Sequence, residues 1–377
     1  MKAPIYELGN FTKIHTGKLD ANASNENGKF PFFTCAQEPF KIDTYSYDCE
    51  CVLVAGNGDL NVKHYHGKFD AYQRTYIIEK LPEFNNTIHL RYVYHFLETY
   101  LDKLREQSIG GIIKYIKLGS LTSAKIPLPS LLEQKRIAGI LDSADALRIK
   151  RRESLSLLDN LIQSTFLDMF GDPVTNPMGW EDSYKLSELS EIASGITKGR
   201  KLKNKKLYEV PYLAVANVQD RHLNIDNIKT ILATKEEIER YRLLSNDLLL
   251  TEGGDPDKVG RGALWNGELP ECIHQNHIFR VRLKSDALNP VFLNWLIGSR
   301  RGKSYFLRSA KQTTGIASIN MTQLRAFPLL IPPINLQHHF ATIVESIEKQ
   351  KVRLQAHLSE LDTLFASLQQ RAFNGEL

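Results

Sequence analysis

What the sequence has little of narrows it first. Its 377 residues include four cysteines, three tryptophans and four methionines. Four thiols in a chain this long cannot make a disulfide framework, which leads to the expectation of a reduced, cytoplasmic protein. No apolar run reaches the roughly 18 residues that a membrane-spanning helix needs, so no membrane partner is expected. The opening residues, Met1-Lys2-Ala3-Pro4-Ile5-Tyr6-Glu7, lack the apolar stretch of a signal peptide. Neither sign of charge dominates: 48 Lys and Arg stand against 43 Asp and Glu, a net +5. That excess permits an anionic partner without demanding one, and clustering decides. With 42% hydrophobic and 24% charged residues, wholesale disorder is excluded, and the length is ample for two cores.

Catalytic signatures are missing as well. There is no Walker A, GxSxG or Rossmann fingerprint. An amino-methyltransferase needs a Gly-rich cofactor loop and an Asn/Asp-Pro-Pro-Tyr/Phe motif. The nearest stretch, Asn289-Pro290-Val291-Phe292, lacks the second proline and reads as a helix start with Pro290 in the first turn. Glu133-Gln134-Lys135 is the nearest thing to a nuclease triplet, yet its counterpart Leu336-Gln337-His338 has neither carboxylate nor lysine. Glu133 there reads as an acid complementing a helix dipole.

What the sequence does contain is a tandem repeat. Leu121 matches Leu324, Pro129 matches Pro332, Gln134 matches Gln337, Ile140 matches Ile343, Leu158-Asp159 matches Leu361-Asp362, and Phe170 matches Phe373, all 203 positions apart. Each copy has a Pro-flanked extended stretch, Lys125–Pro129 or Leu329–Pro333, and then a nearly breaker-free run, Glu133–Phe170 or Gln337–Phe373. Both runs are longer than ordinary globular helices. Steps of four and three give one seam as Ile343, Ile347, Gln350, Leu354, His357, Leu361, Leu364, Leu368 and Arg371. The other seam is Leu141, Ala144, Arg148, Arg151, Leu155, Leu158, Ile162 and Thr165. Two such helices can lie side by side as an antiparallel pair, each a rod of roughly 57 Å. Before each helix, short β-branched and aromatic runs alternate with Gly/Asn/Asp turns, which predicts α+β globules. The expected fold is therefore two mixed α/β globules joined by two long antiparallel helices with pseudo-twofold symmetry. The segments are 1–128, 129–172, 173–330 and 331–377, with the linker Gly171–Pro177 between the halves.

Basic clusters are the strongest chemical signal. Lys198, Arg200, Lys201, Lys203, Lys205 and Lys206 follow one another with no carboxylate between them, a pattern suited to phosphate contact or to a loop. Arg300, Arg301, Lys303, Arg308 and Lys311 lead into Gln312-Thr313-Thr314-Gly315, whose short polar side chains suit base edges. Asp257-Lys258-Val259-Gly260-Arg261-Gly262 is a Gly-rich loop able to approach phosphate. The first half offers sparser analogues: Lys63, His64, His66, Lys68, Gln73, Arg74 and Lys114. Cys49, Cys51, His64 and His66 also admit a metal reading if they lie in extended strands. Against it, Cys51-Val52-Leu53-Val54 has the look of a buried strand.

Taken together the chain resembles the specificity subunit of Type I restriction-modification enzymes. The likeness rests on Pro127-Leu128-Pro129 through Gln134, on Pro332-Pro333 through Gln337, and on Phe170-Gly171-Asp172-Pro173 with Asn176 and Trp180. It also rests on the terminal Ala372-Phe373-Asn374-Gly375-Glu376-Leu377. The resemblance implies that the globules are target recognition domains, each reading one half of a split site in double-stranded DNA. It implies that the helices are a ruler and a dock for modification (methyltransferase) subunits, two of them, and through these for restriction/translocase subunits. It implies no catalysis and no cofactor in this chain, with S-adenosylmethionine, ATP and Mg on the partners. A Type IIB or IIG-like specificity subunit, a coiled-coil scaffold without a DNA role, and an autonomous methyltransferase are the competing readings.

Overall fold

The β-branched runs of the first half become strands in the computed structural model, which describes residues 3–200, 206–256, 258–313 and 315–377. They are β1 (Ile5–Glu7), β2 (Thr12–Thr16), β3 (Phe30–Phe33), β4 (Phe40–Ile42), β5 (Tyr47–Ala55), β6 (Val62–Ala71) and β7 (Thr75–Lys80). After them come α1 (Leu90–Gln107), α2 (Leu118–Thr122), β8 (Lys125–Pro127) and the long α3 (Leu131–Phe170). The main sheet runs β2-β7-β5-β6-β3-β4, antiparallel throughout except where β3 meets β6. Alternation along β5 explains its two cores. Val52 and Val54 face α1, with Tyr92, Val93 and Phe96. Cys51 and Leu53 face Phe33, Phe69 and Ile77 on the opposite side. β1 pairs with β8, closing the base of this half.

The second half repeats the plan with α4 (Leu186–Leu189), β9 (Ser190–Ser194), β10 (Tyr208–Leu213), β11 (Lys229–Ala233), α5 (Lys235–Tyr241) and β12 (Asp247–Thr251). There follow β13 (Gly253–Gly254), β14 (Gly262–Trp265), β15 (Ile273–His274), β16 (Ile278–Leu283), α6 (Pro290–Ile297) and α7 (Arg300–Ser309). β17 (Lys311–Thr313), β18 (Ile316–Ser318), α8 (Met321–Arg325) and the long α9 (Ile334–Asn374) complete it. Its sheets run β14-β12-β16-β9 and β11-β10-β15. These orders match the first half, including the parallel contact, here β10 with β15. The difference is that one long β6 joins all six strands into one sheet in the first half, whereas β14 and β15 divide that task between two sheets in the second. Asn289 caps α6, accepting from the Val291 and Phe292 amides at 2.8 and 3.3 Å, so Asn289-Pro290 is a helix start, as its sequence predicts.

The compact units cut both long helices: one unit runs to Ser154 and includes Leu354–Leu377, the other is Leu155–Arg353. Each unit by itself holds an antiparallel helix pair. In the first, Arg136 donates to the Leu377 carbonyl at 2.8 Å, Arg148 stacks over Phe365 at 4.3 Å, and Arg148 and Arg152 reach Asp362 at 2.6 and 3.0 Å. In the second, Asp159 pairs with Lys351 at 2.7 Å, while Phe166 and Phe170 each lie 5.5 Å from Phe340. Partner numbers fall along α9 as they rise along α3 in both. The α3 seam is the one its spacing predicts, with Leu141, Ala144 and Ile162 buried and the rest part-buried. The α9 seam needs correcting. Ile347, Leu354, Leu361 and Leu368 belong to it, but the alternate positions fall one residue later, on Val344, Lys351, Leu358, Phe365 and Ala372. Gln350, His357, Leu364 and Arg371 are exposed. Leu364 and Phe365 are adjacent apolar residues, so spacing alone did not choose between them. Phe365 wins because its ring covers the Arg148 guanidinium and the His95 ring.

Candidate nucleic-acid interface

In each unit several loops meet where the central strands end. In the second unit this is the end at which β12 and β9 finish and β16 begins, since Thr251 is paired with Ile278 and Ser194 with Phe279. The turn 275–277 forms the middle of this rim. Asn276 donates its amide to the Ile196 carbonyl at 3.0 Å, and its own carbonyl accepts from the Ser194 hydroxyl at 2.6 Å. The Glu252 amide donates to the His277 carbonyl at 3.0 Å, and the Ile319 amide donates to the Glu252 carbonyl at 2.8 Å. The rim thus joins residues 196–200, the turn, the segments 252–256 and 258–261, and the β17-β18 hairpin, which β13 extends through β18.

The first unit builds the same rim. Gln73 donates its amide to Leu19 at 2.8 Å, Gly56 donates to Arg74 at 2.8 Å, and Ile116 donates to Gly56 at 2.9 Å. The pairs Gln73 and Asn276, Arg74 and His277, and Ile116 and Ile319 are again 203 positions apart. Both rims demand a glycine where the chain leaves the first sheet strand. A Cβ on Gly17 would lie 2.2 Å from the Ala71 carbonyl oxygen, and one on Gly195 would lie 2.0 Å from that of His274. These two glycines let the crossing strand close against the turn.

Several of the sequence-predicted contact residues fall on these rims. In the first unit they are Gln73 and Arg74 in the turn and Lys114, whose carbonyl accepts from Gly58 at 3.1 Å. Lys63 lies just behind, its ammonium donating to the Ala36 carbonyl at 2.8 Å, and burial pushes its pKa down. In the second unit they are Lys198, 5.0 Å over the Tyr212 ring, then Lys258, ion-paired with Asp255, then Arg261, and Lys311 on β17. Gln312 and Thr313 lie on the same strand, and Lys201, Lys203 and Lys205 fall outside the described residues.

Other sequence-predicted residues are built into the scaffold instead. His64 bonds Glu50 at 3.1 Å beneath α1. That bond from His64, together with Lys80, holds the Glu50 carboxyl down to about 2 against the opposing effect of burial. Arg200 pairs with Glu237 at 2.6 Å and donates to the Leu232 carbonyl. Arg301 donates to the Pro328 and Pro173 carbonyls, which puts it and its neighbour Arg300 at the opposite end of β9 from the rim. His66 and Lys68 are exposed on β6, opposite Glu50 and Asp48 in the ladder, and Lys68 lies 4.6 Å over the Tyr45 ring. Lys206 is exposed over Tyr208, before the start of β10, whose end meets the rim. Among the described residues no group of three His, Cys, Asp or Glu side chains is arranged to hold a metal ion. Cys51 sits in the core facing away from His64, because they lie on opposite faces of the β5–β6 ladder.

The turn residues Asn276 and His277 escaped the sequence reading, which looked for positive charge. The 203-residue offset, carried back from Leu121 to the 72–74 turn, is the signal that finds them. His274 supports this turn from behind and gives the rim a pH dependence. It is fully buried; one ring nitrogen bonds the Ile278 carbonyl at 3.0 Å and the other has no partner among the described residues. Burial pulls its pKa down to about 4 against that carbonyl, with Arg280 and Arg282 adding to the shift. The unfolded imidazole titrates near 6.5, so below that pH the unfolded chain takes up a proton that the folded one refuses. Stability supplied by neutral His274 is complete above about pH 6.5 and is lost as pH falls toward 4, by about 3 kcal/mol in all. Urea midpoints between pH 7 and 4.5 should therefore show an acid slope that His274→Phe flattens. An unchanged slope in the variant would assign the loss to other groups.

Comparisons with known proteins agree on one family. The profile of the Type I restriction modification DNA specificity domain matches residues 3–157 and 177–361. The chain is 27% identical over 405 residues to the EcoDI specificity subunit of Escherichia coli, across 98% of this chain and 88% of that protein. It is 26% identical over 309 residues to the StySPI specificity subunit of Salmonella potsdam, across 76% of this chain and 65% of that one. Among solved structures it is similar to the Type I restriction-modification S subunit from M. genitalium, with a TM-score of 0.62 at 14% identity over 98% of this chain and 96% of that one. It also resembles, at a TM-score of 0.52 and 15% identity, a chain solved in a study of complex assembly and conformational transition in the type I system, covering 100% of this chain and 98% of that one.

Proposed function

The chain belongs to the Type I restriction-modification DNA specificity family, and from that premise we propose that each of its two units reads one half of a bipartite site in double-stranded DNA through its rim. The recognition domains are 1–128 and 173–330. The segments 129–172 and 331–377, with the long helices, dock two modification subunits and, through them, the restriction/translocase subunits. S-adenosylmethionine, ATP and Mg act on those partners. Phosphate contacts come from Lys114 on one rim and from Lys198, Lys258, Arg261 and Lys311 on the other, and Lys201, Lys203 and Lys205, which follow Lys198 in the sequence, are assigned the same role. His64, Arg200 and Arg301 serve the scaffold.

The observation that carries this reading is the duplicated rim, which sets two equivalent loop clusters of different sequence on one repeated frame. A protein that reads two unlike half-sites needs that division between constant support and variable surface. No helix among the described residues is long and apolar enough to cross a membrane. The test is methylome sequencing of a host that expresses the full chain with its modification subunits. A bipartite methylated motif is expected. Exchanging 173–330 for the same segment of a relative should change one half-sequence and leave the other intact. If both halves change together, or neither does, the assignment of one half to each unit is wrong.

A further inference from the structure

The two rims carry different side chains on the same turn, and this difference has a chemical reading. Tyr72-Gln73-Arg74 and Gln275-Asn276-His277 are held by matching backbone bonds, one from the second turn residue to the preceding loop and one from the 56 or 252 amide to the third turn residue. With the backbone fixed in this way, what varies is the side chains they display. Arg74 is exposed, and no side-chain hydrogen bond or ion pair holds it among the described residues. Its neighbour Gln73 is anchored by a 2.6 Å bond to Asp20. In the second unit the free and anchored positions are exchanged. His277 is fixed by its Nδ1, which donates to Glu252 Oε2 at 2.5 Å. Its Nε2 is then the acceptor for the Asn276 amide at 3.3 Å. That bond uses one N–H of Asn276 and sets the plane of its amide, leaving the second N–H and the carbonyl oxygen without a partner among the described residues. An amide with one donor and one acceptor side by side, held in place by its neighbours, is a pre-organised reader.

We propose that these turns are the base-reading elements of the two domains. Arg74 contacts a guanine in the half-site of the first domain, and Asn276 contacts an adenine in that of the second, positioned by His277 and Glu252. The proposal rests on the bipartite-reading assignment above and adds the residue and the base. Arginine's fork matches guanine O6 and N7, and asparagine's donor-acceptor pair matches adenine N6 and N7, both in the major groove. The basic residues around each turn supply the phosphate contacts that set its register.

The test uses the full chain in complex with its modification subunits and the motif that the wild-type complex writes. Arg74→Ala should relax one guanine in the first half-site, and Asn276→Ala one adenine in the second, each lowering discrimination at that position by roughly 10- to 100-fold with the other half unchanged. Duplexes with 7-deazaguanine or 7-deazaadenine at those positions should weaken the wild type and leave the matching variant indifferent. Asn276→Asp keeps the size of the side chain but removes its donor, so preference should move toward cytosine, whose N4 amino group donates. This variant answers the question if alanine disturbs the rim, and melting curves identify that case. If either variant lowers affinity equally on every sequence and leaves the motif unaltered, the turn touches phosphate only and the proposal falls while the functional reading stands. If the wild-type complex writes no bipartite motif, both fall together.

Discussion

Replacing Gln337 with alanine should destabilise the Leu155–Arg353 unit by about 3 kcal/mol, and Gln134→Ala should do the same to the other unit. Each glutamine is 0% exposed, and each spends its whole amide on backbone. Gln134 accepts from the His89 amide at 3.0 Å and donates to the Thr87 and Pro129 carbonyls, both at 2.9 Å. Gln337 accepts from the Asn289 amide at 2.8 Å and donates to the Ala287 and Pro332 carbonyls at 3.1 and 2.7 Å. In both cases one side chain ties the start of a long helix to the residue that caps the domain's own core helix. Alanine strands three buried polar groups at once, and a buried donor or acceptor without a partner costs about 1–3 kcal/mol. Water entering the vacated space offsets part of that, which places the sum near 3. Chemical denaturation of each variant, followed by a probe in each unit, measures it. A loss below about 1 kcal/mol would mean that the helix starts are held by apolar packing alone.

These glutamines also show what the sequence revealed and what it withheld. Their match across 203 residues was plain, because a repeat preserves position. Their task was not, since four of the six groups they satisfy lie 45 to 50 residues earlier in the chain. Long helices, Pro-flanked strands and the duplication itself were legible because each rests on local periodicity or punctuation. The α9 seam was legible to within one residue, and only packing chose Phe365 over Leu364. Charge misled in a particular way. A lysine or arginine in sequence announces a cation but not its partner, so Arg200 and Arg301, which the fold spends on Glu237 and on backbone carbonyls, looked the same as Lys198 and Lys311. The Asn276-His277 turn, having little charge, was passed over.

Neutralising Lys198, Arg261 and Lys311 together should reduce the salt dependence of DNA binding by the complex by three contacts' worth. These three basic groups come from separate segments: the loop after β9, the loop before β14, and β17. Each stands on the rim of one unit, so each has the chance of meeting a different phosphate. A lost phosphate contact lowers the slope of log affinity against log salt by about 0.9, so glutamine at all three positions lowers it by about 2.7. At 50 mM salt the variant should bind far more weakly than the wild type, and on moving to 200 mM the gap should narrow by roughly 40-fold. Because phosphates carry no sequence, the loss should be the same on specific and random duplexes, and the methylated motif should not change. Arg300 and Lys206 provide the contrast. Both are exposed, but they lie away from the rim, so Arg300→Gln with Lys206→Gln should leave the slope within error of the wild type. If this pair lowered the slope as much as the rim triple, the DNA would lie against a wider face of the domain than the strand ends.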